Sequence, residues 1–318
     1  MKSFLQLIKA RKNLTFKFII VFLFLISLPG ANYFNQLDLV KLKPVINSTD
    51  YQLPSPAEYP VNQTKAPAPM LSARGGVVID ADSKTIIYAH NPDLWLLPAS
   101  TTKIMTALVA LDNYSLEDVV TVSEIITEPV KMGLFPGEKI TVNNLLYGLL
   151  VGSANDAALA LAAHHPQGET GFVKAMNQKA ADLNLTNTQY TNPIGLDNYG
   201  QYTTVHDLSL LTAAAMGQPV FRSIVNTIKY TVTDVDKTKI HELENINELL
   251  GQIPGLVGVK TGYTELAGEC LVTYVTRQNH SIITVVLASG DRFGESQRLI
   301  DWVFTNFVWQ SLPPAIRW

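Results

Sequence analysis

The feature that most constrains this chain is where its strand-like runs fall. Residues 76–80 (GVVID) and 85–89 (TIIYA) are β-branched runs separated by the turn residues Asp82 and Ser83, which is the pattern of a hairpin. Strand-like runs return only at 256–260 (LVGVK), 270–276 (CLVTYVT) and 281–288 (SIITVVLA), the last two joined by a hairpin-length link at 277–280. Helical stretches fill the interval. Residues 104–111 (IMTALVAL) are apolar on nearly every face, so that helix must be buried centrally. Residues 143–151 and 156–163 are two further apolar helical stretches, 171–183 and 207–216 read as amphipathic helices, and 295–307 closes as a helix. Strands at both ends with helices between predict an α+β fold: one sheet assembled from distant segments, with a helical lobe inserted in the middle. No internal repeat is present.

Size and charge fit that reading. The chain has 318 residues, 47% of them hydrophobic and 16% charged, enough for a sizeable core. A net charge of −3 and a pI near 6.1 argue against a nucleic-acid partner, which calls for a basic face. The single cysteine, Cys270, cannot form a disulfide within the chain, so the compartment has to be read from the N-terminus. There Lys2, Lys9, Arg11, Lys12 and Lys17 form a basic lead without an acid, and residues 18–28 (FIIVFLFLISL) follow as an apolar run. This is an export signal, because the positive end stays inside while the apolar part enters the membrane. The expected location is extracytoplasmic. The run is shorter than the ~20 residues of a typical spanning helix, yet Pro29, Gly30 and Ala31 make a poor cleavage site. Residues 1–31 therefore read as either a signal peptide or an N-terminal membrane anchor. Residues 32–70, with Pro44, Pro54, Pro56, Pro60, Pro67 and Pro69, read as a proline-rich linker. Residues 71–307 read as the folded domain and 308–318 as a C-terminal tail.

Three short motifs carry chemistry. Ser100-Thr101-Thr102-Lys103 opens the buried helix, and residues three apart share a helix face, so the Lys103 amine can reach the Ser100 hydroxyl. A serine becomes a nucleophile when a neighbouring base takes its proton, and a lysine serves as that base if burial and a nearby cation lower its pKa. Taken alone this motif is weak, since S-x-x-K turns up about once by chance in a chain this long. Ser153-Ala154-Asn155 lies in the break between two apolar helices. A plain capping turn fits, as does a polar pair projecting into a cleft, with Ser153 relaying a proton and Asn155 holding a substrate amide. Lys260-Thr261-Gly262 ends a strand-like run. Lys260 there is either solvated or a counter-charge for a substrate carboxylate, with Thr261 adding a donor and Gly262 admitting close approach.

In this order the three motifs resemble the penicillin-recognising serine enzymes. The flanking residues narrow the resemblance to the low-molecular-weight D,D-carboxypeptidases of the peptidase S11 family. They are Gly262-Tyr263-Thr264, Ala267-Gly268, Cys270-Leu271, residues 191–196 (TNPIGL), Tyr202-Thr203-Thr204 with Asp207-Leu208, and Asn245-Ile246-Asn247 with Leu249-Leu250. The resemblance covers about residues 71–306. It implies an antiparallel sheet flanked by helices with a mostly helical lobe, as in β-lactamases and transpeptidases, and the site between. It implies removal of the terminal D-alanine from peptidoglycan stem peptides, no cofactor or metal, and β-lactams as covalent inhibitors. Carried over by position, Ser100 is the nucleophile, Lys103 the general base, and Ser153 and Asn155 the second motif. Lys260, with Thr261 and Gly262, reads the terminal carboxylate, and the N–H groups of Ser100 and Tyr263 form the oxyanion hole. One departure stands out. Larger relatives carry a β-rich domain and a C-terminal anchor after the catalytic domain, and an N-terminal tether would replace the latter here.

Other readings fit less well. No E-x-x-L-N stretch lies between Ser153 and Lys260, against a class A β-lactamase. His164, His165, His206 and His241 are scattered and no H-E-x-x-H occurs, against a metallopeptidase. Cys270 reads as a buried small residue. Endopeptidase action on cross-links, or a non-catalytic wall-binding protein that kept the fold, remain as alternatives.

Overall fold

The structure is a computed structural model that describes Lys17 and residues 58–123 and 129–311. The export segment, most of the linker and residues 312–318 lie outside the described residues.

Eleven strands and seven helices are assigned among the described residues, in chain order. The first strands are β1 (Tyr59–Asn62), β2 (Gly75–Asp80) and β3 (Ile86–His90), followed by a 3-10 turn (Ala99–Thr102) and α1 (Lys103–Asn113). The helical lobe contains β4 (Val119–Thr121), β5 (Lys139–Thr141), α2 (Val142–Leu150), α3 (Asn155–Ala163) and α4 (Gly168–Asp182). Then come α5 (Val205–Met216), α6 (Pro219–Val225), β6 (Lys229–Thr233) and β7 (Ile240–Glu244). The chain closes with β8 (Leu256–Thr264), β9 (Gly268–Arg277), β10 (His280–Ser289), α7 (Arg292–Asn306) and β11 (Phe307–Gln310).

The central sheet is antiparallel in the order β3-β2-β10-β9-β8, which joins the first hairpin to the last three strands as the sequence predicts. Side chains alternate across it. Val77, Val285 and Val272 face one core, shared with Leu208 and Leu211 of α5 and the side chains of α1. Val78, Val286 and Leu271 face the other, shared with Leu299, Ile300 and Val303 of α7. Helix starts are marked by side chains that accept otherwise unpaired backbone N–H groups. Thr141 accepts from Asn144 at 3.3 Å, Thr204 from Asp207 at 3.0 Å, and Asp291 from Gly294 at 2.9 Å. Helix α1 is buried from Lys103 to Ala110, so it runs through the interior as its uniform apolarity requires.

Two boundaries move. Residues 59–62, assigned by sequence to the linker, form β1. It pairs antiparallel with β11, most of which was assigned to the tail, in the register Tyr59↔Gln310 to Asn62↔Phe307. Aromatic packing holds this pair: Trp309 stacks on His280 at 4.5 Å and donates through its indole N–H to Asp80 at 2.7 Å. Pro60 masked the strand, yet a two-stranded ribbon leaves one edge of each strand unpaired and so tolerates the missing N–H. The hairpin β6–β7, which the sequence left unassigned, covers the helical lobe beside α2, with Tyr230 stacked on Tyr147 at 3.8 Å.

Candidate active site

The free edge of β8 faces the turn that opens α1. Gly262 makes this approach available. A Cβ there would lie 2.9 Å from the Ser100 backbone nitrogen and 3.0 Å from Ala99 Cβ. Gly195 serves the other side of the turn at φ +89°, where an added Cβ would sit 1.9 Å from the Ala99 carbonyl oxygen. Two residues at the site hold a left-handed backbone that L-residues rarely adopt: Ala99 at φ +46°, directly before Ser100, and Ser153 at φ +55°. Such strain persists only where the surroundings fix it. At Ser153 the next residue is pinned by Ala154 N–H donating to Gly148 O at 2.9 Å.

Here the three motifs meet in part through direct contacts. Lys103 Nζ lies 2.9 Å from Ser100 Oγ and donates to the Ile194 carbonyl at 2.7 Å. Lys260 Nζ donates to Ser153 Oγ and to the Thr261 carbonyl, both at 2.9 Å. Asn155 donates its side-chain N–H to Pro129 O at 2.6 Å. Ser100 is partly open to solvent, while Lys103, Ser153, Asn155, Lys260 and Thr261 are buried. Tyr263 is 62% exposed, so its ring lies at the rim of the site while its backbone continues β8.

The electrostatics are unusual because two lysines are buried together. Burial drives the Lys103 amine well below the usual lysine value, and the Lys260 charge lowers it further. Burial, then the Arg292 guanidinium, brings Lys260 down to about 7. A neutral Lys103 donates to Ile194 and has its lone pair free for the Ser100 proton. Cys270 is also buried and its thiol is pushed up to about 11 by desolvation, which keeps it protonated and unreactive. Among the described residues no group of three or more His, Cys, Asp or Glu side chains is arranged to hold a metal.

Sequence reasoning missed several supporting residues. Asn192 Oδ1 accepts from the N–H groups of Ile194, Gly195 and Leu196, and Gln201 Oε1 from those of Thr191 and Asn192. Together they form the loop that presents the Ile194 carbonyl to Lys103. The Asn-Pro turn at 192–193 is a visible signal for a loop but not for its partner. Thr264 donates to Asp197 at 2.7 Å and ties that loop to the end of β8. Arg292 donates to Gly262 O at 2.9 Å from the start of α7. Nothing in its sequence position connects it to the triplet.

The chain is similar to several known proteins. D-alanyl-D-alanine carboxypeptidase DacF of Bacillus subtilis is 34% identical over 249 residues, 74% of this chain and 63% of that protein, so the chain spans less than two thirds of that relative's length. D-alanyl-D-alanine endopeptidase of Escherichia coli is 30% identical over 253 residues, 77% of this chain and 81% of that protein. The crystal structure of the Streptomyces K15 DD-transpeptidase superposes with a TM-score of 0.72 at 34% identity, covering 76% of this chain and 100% of that one. The sequence model for D-alanyl-D-alanine carboxypeptidases matches residues 62–290, and the chain accordingly belongs to the peptidase S11 family.

Proposed function

We propose that this chain is a serine-type D-Ala-D-Ala carboxypeptidase that removes the terminal D-alanine from peptidoglycan stem peptides through an acyl-enzyme on Ser100. The observation that carries this reading is the 2.9 Å contact between Ser100 Oγ and a fully buried Lys103 amine whose other partner is a neutral carbonyl. Lys103 accepts the Ser100 proton as Oγ attacks the carbonyl carbon of the scissile bond. Negative charge builds on the carbonyl oxygen, and the N–H groups of Ser100 and Tyr263 stabilise it most in the transition state. The close approach at Gly262 supports this pairing. Ser153, in contact with Lys260, relays the proton to the leaving amine. Lys260 faces the substrate's terminal carboxylate, supported by Thr261, and Asn155 holds the amide on the acyl side. D-Alanine leaves, and water then attacks the ester carbonyl, with Lys103 again as base. A β-lactam enters by the same attack and remains as a covalent adduct.

Incubation with a D-Ala-D-Ala pentapeptide and with its cross-linked dimer tests the reading. Free D-alanine from the pentapeptide is the expected result, and none from active, folded protein would overturn it. The likeness to the E. coli endopeptidase supports a second reading, cleavage of cross-links by the same site, whose readout is monomer release from the dimer.

We also propose that the domain works outside the cytoplasm, carried there by the export segment at 18–28. The basic lead and apolar run support this. Among the described residues no single helix is long and apolar enough to cross a membrane. Protease added to cells stripped of their outer barriers should digest the domain; protection until lysis would refute that location.

A further inference from the structure

Asn155 is the first residue of α3, and the residue after it, Asp156, is buried. Its carboxylate collects four backbone N–H groups. Oδ1 accepts from Met132 at 3.0 Å and Ala157 at 3.0 Å, and Oδ2 accepts from Gly133 at 2.8 Å and Leu134 at 3.0 Å. Three of the four donors belong to the loop 129–134, and the same loop holds Asn155. Pro129 O accepts from Asn155 Nδ2 at 2.6 Å, and Val130 O accepts from the Asn155 backbone N–H at 2.8 Å. His241 adds a second anchor. Its Nδ1 lies 3.0 Å from Met132 O, and its Nε2 lies 2.7 Å from Glu138 Oε1.

We infer that Asp156 is a positioning residue for the reaction: by gathering the loop 129–134 it fixes Pro129 O, and Pro129 O fixes which end of the Asn155 amide is offered to substrate. The inference rests on the reading above, in which Asn155 holds the acyl-side amide. A carbonyl only accepts, so the Asn155 NH2 must face Pro129 with one N–H, which sets the orientation of the amide and leaves the second N–H for the carbonyl oxygen of the substrate amide. If the loop drifts, the two ends of the amide lose their distinction. The residue at 156 also has to be an acid. A carboxylate offers acceptor sites to all four N–H groups, whereas Asn would turn an NH2 toward donors on one side.

The test uses two β-lactams on the full chain, benzylpenicillin, which carries an acylamino amide, and 6-aminopenicillanic acid, which has a free amine in its place. Asp156→Asn should slow acylation of Ser100 by benzylpenicillin on the order of tenfold to a hundredfold, as expected for a displaced positioning group. Acylation by 6-aminopenicillanic acid should fall less than about threefold, because the contact at stake is missing there. The acid limb of the pH profile should not move, since the contacts of Lys103 are untouched. Asn155→Ala should show the same split, and Asp156→Asn added to it should make it no worse. Gly133→Ala is the second variant, should Asp156→Asn fail to fold. Gly133 sits at φ +87° with nothing within 4 Å of an added Cβ, so this change strains the loop without a clash, and the split should persist at smaller size. Equal losses on both compounds, no loss on either, or additive effects in the double variant would overturn the positioning role. A wild-type chain acylated by neither compound would overturn the reading of the site itself.

Discussion

Two pairs of buried ionisable groups lie in this molecule and are built on opposite terms. At the site, Lys103 and Lys260 are both interior and both cationic by type, and the side-chain partners recorded for them are serine hydroxyls. Beside the helical lobe, His241 and Glu138 are equally buried but complementary, 2.7 Å apart, with Phe135 N–H donating to the second carboxylate oxygen at 3.0 Å. The Met132 carbonyl accepts from His241 Nδ1, so Nδ1 carries a proton, and the pair shares one more along the 2.7 Å contact. The complementary pair is satisfied where it stands. The lysine pair is relieved by giving up a proton, and a Lys103 amine held well below the ordinary lysine value is placed to act as a base toward Ser100. One arrangement holds the fold around the site, and the other supplies the base in the proposed reaction.

The sharpest way to break the comparison is to remove a reactive member. Ser100→Ala should eliminate the covalent penicillin adduct seen by mass spectrometry, and it should lower peptide hydrolysis on the order of 10⁴-fold or more. Lys103→Met should do nearly the same. The two pairs should then separate in stability. Glu138→Ala leaves a buried imidazole nitrogen without its partner and should cost about 3–5 kcal/mol in denaturant unfolding, whereas Lys103→Met should be at least as stable as the wild type. At neutral pH the unfolded chain protonates Lys103 more than the folded chain does, so that residue lowers stability, and replacing it relieves the penalty.

A smaller effect tests the charge on Lys260. Amidation of the substrate's terminal carboxylate should reduce kcat/KM on the order of a hundredfold. Equal cleavage of acid and amide would remove Lys260 from carboxylate recognition. The smallest and most diagnostic effect is in the pH profile. In the proposed reaction the active form of Lys103 is the neutral amine, so kcat/KM should rise with pH through an ionisation below the ordinary lysine value of 10.5. Lys260 loses its charge above about 7, so kcat/KM should fall again on the alkaline side. With substrate bound, the carboxylate beside Lys260 favours its charged form, and the decline in kcat should move to higher pH. A flat profile from roughly pH 6 to 10 would count against a titrating base.

Much of the site was legible because its parts are local in sequence. Ser100 and Lys103 are one turn apart, and the three motifs appear in order with recognisable flanks. The central hairpins were legible for the same reason, since period-2 β-branched runs depend on neighbours along the chain. What escaped were contacts closed by distant segments. Tyr59–Asn62 looked like linker because its pairing partner, Phe307–Gln310, lies at the other end of the described chain. The Ile194 carbonyl, Asp156 and Arg292 carry no motif of their own. A backbone carbonyl looks the same at every position, and a single Asp or Arg acquires its role only from what folds against it.

The sequence by itself determined that Ser100, Lys103, Ser153, Asn155 and Lys260 were present, in order, on a chain able to bury a helix behind the first pair. That information is compositional and local, and it survives without coordinates. Only the tertiary structure decided that Lys103 and Lys260 would both lie out of water near one another, with Ile194, Arg292 and the loop 129–134 closing around them. Desolvation and the field of a neighbouring charge depend on distance in space, and segments more than 150 residues apart in the chain set both here.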